Sequence, residues 1–289
     1  MGSKPIQVTT PKGAMNGAQA LFKALTDAGL DTCFANPGTS EMQLVYEIGT
    51  TKGVRAVLCL QENVVTGAAD GYGRMAGKPV FTLLHVGSGF ANGIANTHNA
   101  GRANTPVVNV VGCNATYHQP NYPEHELING KVVDLAQIVS HWAHEAKSAN
   151  DLAVLGAQAA RFSRTGAGKV CTVVAPTNCH WDPATPPPAP AEPIKALKVS
   201  PETIKDTVAL LTNGKKTAFV LGSHALRTKR LHIAAGERDH CLGSHHNGRN
   251  SLCPNRRCPC TRLPAGMSWR RHRRQTPVGV GCLSRVSGP

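Results

Sequence analysis

The chain has 289 residues, ten cysteines and a formal net charge of +14. It holds no run of 18 or more apolar residues, which excludes an apolar membrane-spanning helix, and its polar start lacks the apolar core of a signal peptide, so a cytoplasmic setting is expected. The charge is uneven, with 18 Lys and Arg against 15 Asp and Glu in residues 1–226, and 13 against 2 in residues 227–289.

Residues 1–13 read as a loose leader. From Asn16 the period turns helical, with Ala18, Leu21, Phe22, Leu25 and Ala28 on one face and Gly29 as a left-handed stop. A strand over 32–35 runs into Asn36-Pro37-Gly38-Thr39-Ser40-Glu41, a turn that opens a short helix over 41–50 with Ser or Thr as its cap. An apolar strand over 54–60 and a small-residue helix over 64–75 follow. A strand over 80–84 ends at His85, a second small-residue helix covers 90–103, and a strand over 107–111 ends at Gly112-Cys113-Asn114. Helices over 132–139 and 151–164 and a strand over 170–175 complete the set. Cys33, Cys59, Cys113 and Cys171 lie in apolar runs and read as small buried hydrophobes.

This alternation predicts an α/β fold, a doubly wound parallel sheet with helices on both faces. Strands rich in Val and Leu without clean alternation fit burial on both sides. Four successive strands end in polar residues: Asn36 to Thr39, Gln61-Glu62-Asn63, His85 to Ser88, and Gly112 to Asn114. All four endings belong at one edge of the sheet, where open α/β folds keep their ligand crevice. Glu62 stands at the end of an expected buried strand, where a helix begins. It fits a plain helix-start carboxylate that satisfies orphan N–H groups, and equally a catalytic group facing the crevice. The Pro37-Gly38 turn needs no function to explain it.

The polar loop over 116–130 is long for a simple connection and suits an active site or an interface. The first domain is expected over 14–181 and a stiff Pro-rich linker over 182–200. A second α/β unit starts over 201–235, with a helix over 201–212 and a strand over 217–222, and is incomplete. Residues 236–289 show no sustained period and are rich in Arg, His, Cys and Pro. A nucleic-acid arm built on Trp269-Arg-Arg-His-Arg-Arg274, a zinc site from Cys253, Cys258 and Cys260 with His245 or His246, and a disordered stretch read in a shifted frame all fit this composition. The shifted frame is favoured, because it explains why acidic residues vanish inside an unfinished domain; a nucleic-acid partner is not expected.

Three motifs in order carry a resemblance: Phe34-Ala-Asn-Pro-Gly-Thr-Ser-Glu41, Gln61-Glu62 followed by Gly67-Ala-Ala-Asp-Gly-Tyr-Gly73, and Leu84-His-Val-Gly-Ser-Gly89. Together they resemble the N-terminal pyrimidine-binding domain of thiamine-diphosphate-dependent enzymes of the acetolactate synthase and benzoylformate decarboxylase type. The resemblance covers about residues 15–180, with the start of the family's central domain after it. It implies a 2-oxo acid substrate, decarboxylation followed by protonation or by transfer to a second carbonyl, and a homo-oligomer in the full-length protein. It assigns Glu62 to N1′ of the cofactor's aminopyrimidine, where a carboxylate can share a proton with a ring nitrogen in a dry pocket.

His85 matches the decarboxylase branch, where a histidine transfers protons to substrate-derived intermediates; acetolactate synthases usually carry Thr-Ser-Gly-Pro-Gly here. Thr39 falls where the decarboxylases place a serine on the substrate carboxylate. Pro37, Gly38 and Asn114 are expected beside the cofactor, and Gln119 beside the substrate. The family holds the diphosphate and its magnesium through a Gly-Asp-Gly…Asn motif in a C-terminal domain, and that motif does not occur here. The resemblance therefore implies a truncated chain with no metal ligands of its own, inactive alone. A flavin, present in some acetolactate synthases, finds no support in the sequence.

Overall fold

The structure is a computed structural model that describes residues 15–118, 126–195 and 198–214, and the backbone alone of 219–221 and 280–282. The leader, Gln119 and the basic tail, apart from the backbone of 280–282, lie outside the described residues. The contacts divide the chain into two units, one ending at Lys195 and one starting at Ala196.

In the first unit the order is β1 (Met15–Asn16), α1 (Gly17–Asp27), β2 (Thr32–Asn36), α2 (Met42–Thr50), β3 (Arg55–Leu58), α3 (Glu62–Ala76), β4 (Val80–Leu84) and α4 (Val86–Arg102). Then come β5 (Val107–Cys113), α5 (Val132–Val139), β6 (Trp142–Glu145), α6 (Ala149–Ser163), β7 (Val170–Pro176), α7 (Thr177–Trp181) and β8 (Pro183–Ala184). Asn16 closes a reciprocal cap with Gln19 at the head of α1, and Gly29 takes a φ of +84° just past its end.

Six strands form one parallel sheet in the order β3-β2-β4-β5-β7-β6. Successive side chains point to opposite faces, so Phe81 and Leu83 enter one core while Val80 and Leu84 enter the other. The first core gathers α1, α2 and α6 through Leu21, Phe22, Leu25, Leu44 and Leu152. The second gathers α3, α4 and α5 through Val65, Phe90, Val132 and Ala136. The sheet is thus doubly wound, as its alternating sequence implies. All five cysteines of this unit are free and buried, and burial pushes Cys171 and Cys179 up to about 12, far from a reactive thiolate.

Chain order and spatial order part company between β2 and β4. The chain leaves β2 toward α2 on one face and leaves β4 toward α4 on the other. The diverging connections open a crevice beyond the carboxyl ends of these two strands, the switch point at which such sheets hold ligands.

The expected strand over 54–60 needs correction. β3 is shorter, it is an edge strand, and it is largely exposed, with Leu58 at 71% and Leu60 at 91%. Its apolar character therefore does not come from burial within this chain. β6 and α7 also had no expectation behind them: Trp142-Ala-His-Glu145 has no apolar run, and α7 is only five residues long. The proposed linker begins as structure, since β8 pairs with β1 and Thr185 bonds Asn150 of α6. In the second unit, Ser200 caps α8 (Pro201–Leu211), and β9 (Phe219–Leu221) pairs antiparallel with β10 (Val280–Cys282).

Candidate active site

The loop after β2 is closed by its own glutamate. Residues Thr39–Glu41 form a single 3₁₀ turn, and Glu41 Oε2 accepts a hydrogen bond of 2.8 Å from the Gly38 amide. The expected Ser or Thr cap is absent there, because the Glu41 carboxylate satisfies the amide instead. Glu41 is completely buried. Its Oε2 also lies 2.8 Å from His85 Nδ1. A carboxylate only accepts, so Nδ1 carries the hydrogen in this bond. Glu41 Oε1 is buried without a hydrogen-bond partner among the described residues.

His85 follows β4 directly and sits at the cap position of α4, where its side chain caps nothing. The bond to Glu41 raises its pKa above the ordinary 6.5, against the opposing pull of burial, with further help from the charges of Glu41, Glu62 and Glu126. The next residue, Val86, has a φ of +34°, a left-handed conformation that a β-branched residue rarely takes. Such backbone outliers gather at functional sites. Gly38 makes room for the imidazole: a Cβ there would run into the His85 ring.

Glu62 is the first residue of α3. The capping duty falls to Gln61, whose Oε1 accepts from Val64 N at 3.1 Å. Glu62 adds its charge to the first turn, yet its carboxylate turns toward α4. Its Oε2 accepts from Asn92 Nδ2 at 3.3 Å, and a Cβ on Gly89 would stand 2.9 Å from Oε1 and 3.2 Å from His85 Cβ. Glu62 and His85 therefore border the same bare glycine, although 23 residues separate them in the chain. Glu62 is 9% exposed. An ionised carboxylate offers about four lone-pair positions. One long bond from Asn92 leaves capacity for the hydrogen of a ring nitrogen.

The other expected residues divide. Pro37 and Thr39 share the loop with Gly38 and Glu41, with Thr39 exposed. Asn114 is tied down, its amide and its Nδ2 both donating to Glu126 Oε1 at 3.0 and 3.2 Å. Gln119 lies outside the described residues. Glu41 had no expectation behind it beyond a helix start. The signal available was a carboxylate three residues after the glycine of a turn, at a strand end on the crevice edge. Thr177 also went unnoticed: its hydroxyl donates to Cys113 O and Ser40 O, joining the end of β5 to the loop that carries Glu41. Among the described residues no group of three or more His, Cys, Asp and Glu gathers to hold a metal, and no helix is long and apolar enough to cross a membrane.

With this geometry in place, the chain can be set beside known proteins. Residues 15–135 match the family described as thiamine pyrophosphate enzyme, N-terminal TPP binding domain. A Mycobacterium tuberculosis protein that carries the name of an acetolactate synthase large subunit, IlvX, is 40% identical over 221 residues, covering 76% of this chain and 42% of that protein. Benzoylformate decarboxylase of Pseudomonas aeruginosa is 28% identical over 209 residues, 70% of this chain and 38% of that one. Among solved structures, the thiamine diphosphate-dependent 4-hydroxybenzoylformate decarboxylase of Rhodococcus jostii superposes with a TM-score of 0.66 at 25% identity, over 72% of this chain and 39% of that one. Benzoylformate decarboxylase of Polynucleobacter necessarius shares the fold, with a TM-score of 0.70 at 21% identity over 79% of this chain and 43% of its own. The chain thus spans about two fifths of the length of the relatives it matches. Residues 15–135 of this chain are a thiamine pyrophosphate enzyme N-terminal domain, similar to those of acetolactate synthases and benzoylformate decarboxylases, and the crevice around Glu62 and His85 lies within it.

Proposed function

We propose that residues 15–195 form the pyrimidine side of a thiamine-diphosphate site that decarboxylates a 2-oxo acid. The observation that carries this reading is the meeting of Glu62 and the Glu41–His85 pair around Gly89 and Gly38 at the switch point of the sheet. Bound thiamine diphosphate would supply a carbon nucleophile and an electron sink for the pair left on the substrate carbon when carbon dioxide departs. Glu62 would hold the aminopyrimidine edge by sharing a proton between its carboxylate and the ring nitrogen. Asn92 keeps that carboxylate turned into the crevice. Glu41 fixes the His85 ring through Nδ1, so that proton exchange with the substrate passes through the opposite ring nitrogen. Gly38 and Pro37 shape the wall beside the imidazole, and Thr39 stands on the same loop for the substrate carboxylate.

Magnesium and the diphosphate call for a second domain. A second subunit is the natural source, and the chain on either side of Glu62 supports it: Leu58, Leu60 and Val64 are large, apolar and exposed. Carboligation is the second reading, favoured by the 40% identity to a protein named as an acetolactate synthase large subunit. His85 supports the decarboxylase over it.

The test joins this chain to the diphosphate-binding half of a full-length relative. Thiamine diphosphate with magnesium is titrated by calorimetry into the chain alone and into the joined protein, and the products from a 2-oxo acid are identified. The joined protein should bind the cofactor and release carbon dioxide and an aldehyde, and Glu62→Gln should cut turnover by about 10²–10⁴-fold. An acetohydroxy acid as the main product would establish the second reading. Undiminished turnover by the Glu62→Gln protein would show Glu62 to be misassigned, and micromolar binding by the chain alone would remove the need for a second domain.

A further inference from the structure

Glu41 reaches His85 through a space that a strand side chain would ordinarily fill. Gly112 lies on β5, held by pairing with Ala175 of β7, one residue after Val111 pairs with Leu84 of β4. Its φ lies outside the left-handed region, so the backbone alone does not demand glycine here. A Cβ at this position would overlap Oε1, Cδ and Cγ of Glu41. The carboxylate has little room to yield. It is completely buried, and its other oxygen already holds the Gly38 amide and His85 Nδ1.

We propose that Gly112 is a positioning residue of the site: the bare end of β5 admits the Glu41 carboxylate and so holds it against His85 Nδ1. Three strand ends then act together, β2 bringing the carboxylate, β4 the imidazole and β5 the vacancy between them. The consequence for proton transfer rests on the functional reading above; the geometry itself is testable without cofactor. β5 is paired with β4 up to Val111 and with β7 on through Gly112 and Cys113, so a methyl group at residue 112 displaces the Glu41 side chain rather than the strand. His85 then keeps its burial and loses its nearest charge. Among the described residues, Glu41, Glu62 and Glu126 are the charged groups that raise its proton affinity, and the last two remain in place.

The experiment is a nuclear magnetic resonance titration of the imidazoles in the full 289-residue chain without cofactor, with the His85 signal assigned through His85→Gln. The parent midpoint should lie above 6.5. Gly112→Ala should lower it as Glu41→Gln does, and should add nothing on the Glu41→Gln background. A midpoint lowered by Glu41→Gln and untouched by Gly112→Ala would overturn the proposal. If Gly112→Ala prevents folding, the Glu41→Ala, Gly112→Ala double variant decides. Recovery of the fold places the clash at Glu41 as proposed, and continued unfolding assigns the glycine to the strand alone and refutes it. Failure of cofactor binding by the joined protein would count against the functional reading while leaving the titration result intact.

Discussion

Two histidines stand at the carboxyl edge of the same sheet and behave in opposite ways. His85 follows β4, keeps 20% of its side chain exposed, and pairs its Nδ1 with the buried Glu41 carboxylate. His180 lies in α7 just past β7, fully buried, with Nε2 donating to Ala175 O at 2.9 Å and Nδ1 without a hydrogen-bond partner among the described residues. The carboxylate draws a proton onto the first, and burial drives the second down to about 4. A place at the strand ends is therefore not enough to make a site. The charge brought by the β2 loop separates a proton-carrying histidine from a core one.

The sharpest way to break this contrast is turnover. In the joined protein, His85→Ala and Glu62→Gln should each cut kcat by about 10²–10⁴-fold, whereas His180→Gln should leave it near the parent value. Equal losses from the two histidine variants would erase the distinction.

The second test reads stability against pH. An unfolded His180 takes up its proton near 6.5, and the folded one only near 4. The unfolded chain thus binds more protons between these values, and stability falls as the pH drops through 6.5 toward 4. The gap corresponds to about 3 kcal/mol. His180→Gln keeps a donor for Ala175 O and removes the titration. Chemical denaturation at pH 7 and pH 4.5 should show the parent losing more stability on acidification than the variant. His85 works in the other direction: its raised pKa adds stability that is complete below 6.5 and disappears as the pH rises through the folded value.

A third test addresses buried polarity without charge. Asn109 of β5 is fully buried, accepts from Thr82 at 2.8 Å and donates to Thr172 at 3.3 Å, while Thr172 meets Ser140 at 2.7 Å. Asn109→Ala leaves the Thr82 hydroxyl without its partner and should cost about 2 kcal/mol in denaturation experiments. The His85 titration should not move, because this ladder ties strands together and carries no proton to the crevice.

Local patterns made much of this legible and left specific things out. The bounds of β4 and α5 follow from apolar runs and helical period, and the meeting of strand ends follows from parallel topology. Glu41 was hidden because a glutamate in the first turn of a helix already has an ordinary explanation, and only the fold brings it 2.8 Å from a histidine 44 positions away. The exposure of β3 was hidden for a related reason. Leu58 and Leu60 look like core residues in sequence, and nothing local says that the strand lies at the edge. Gly112 was visible only as the end of a strand, since its meaning depends on a side chain from another loop.

The smallest expected effect separates the two halves of the crevice. α3 begins with a side-chain cap, Gln61 Oε1 on Val64 N, whereas α4 begins at His85 with none. Gln61→Ala removes that acceptor and should cost about 1 kcal/mol or less, read from the denaturation midpoint. The first turn of α3 carries Glu62, so fraying there loosens the carboxylate against Gly89 and Asn92. Cofactor affinity of the joined protein should then fall while the His85 midpoint stays put, since Glu41 and His85 hang on other strand ends. A His85 midpoint that shifts with Gln61→Ala would mean that the two carboxylates are coupled through Gly89, and that the crevice answers as one unit rather than two.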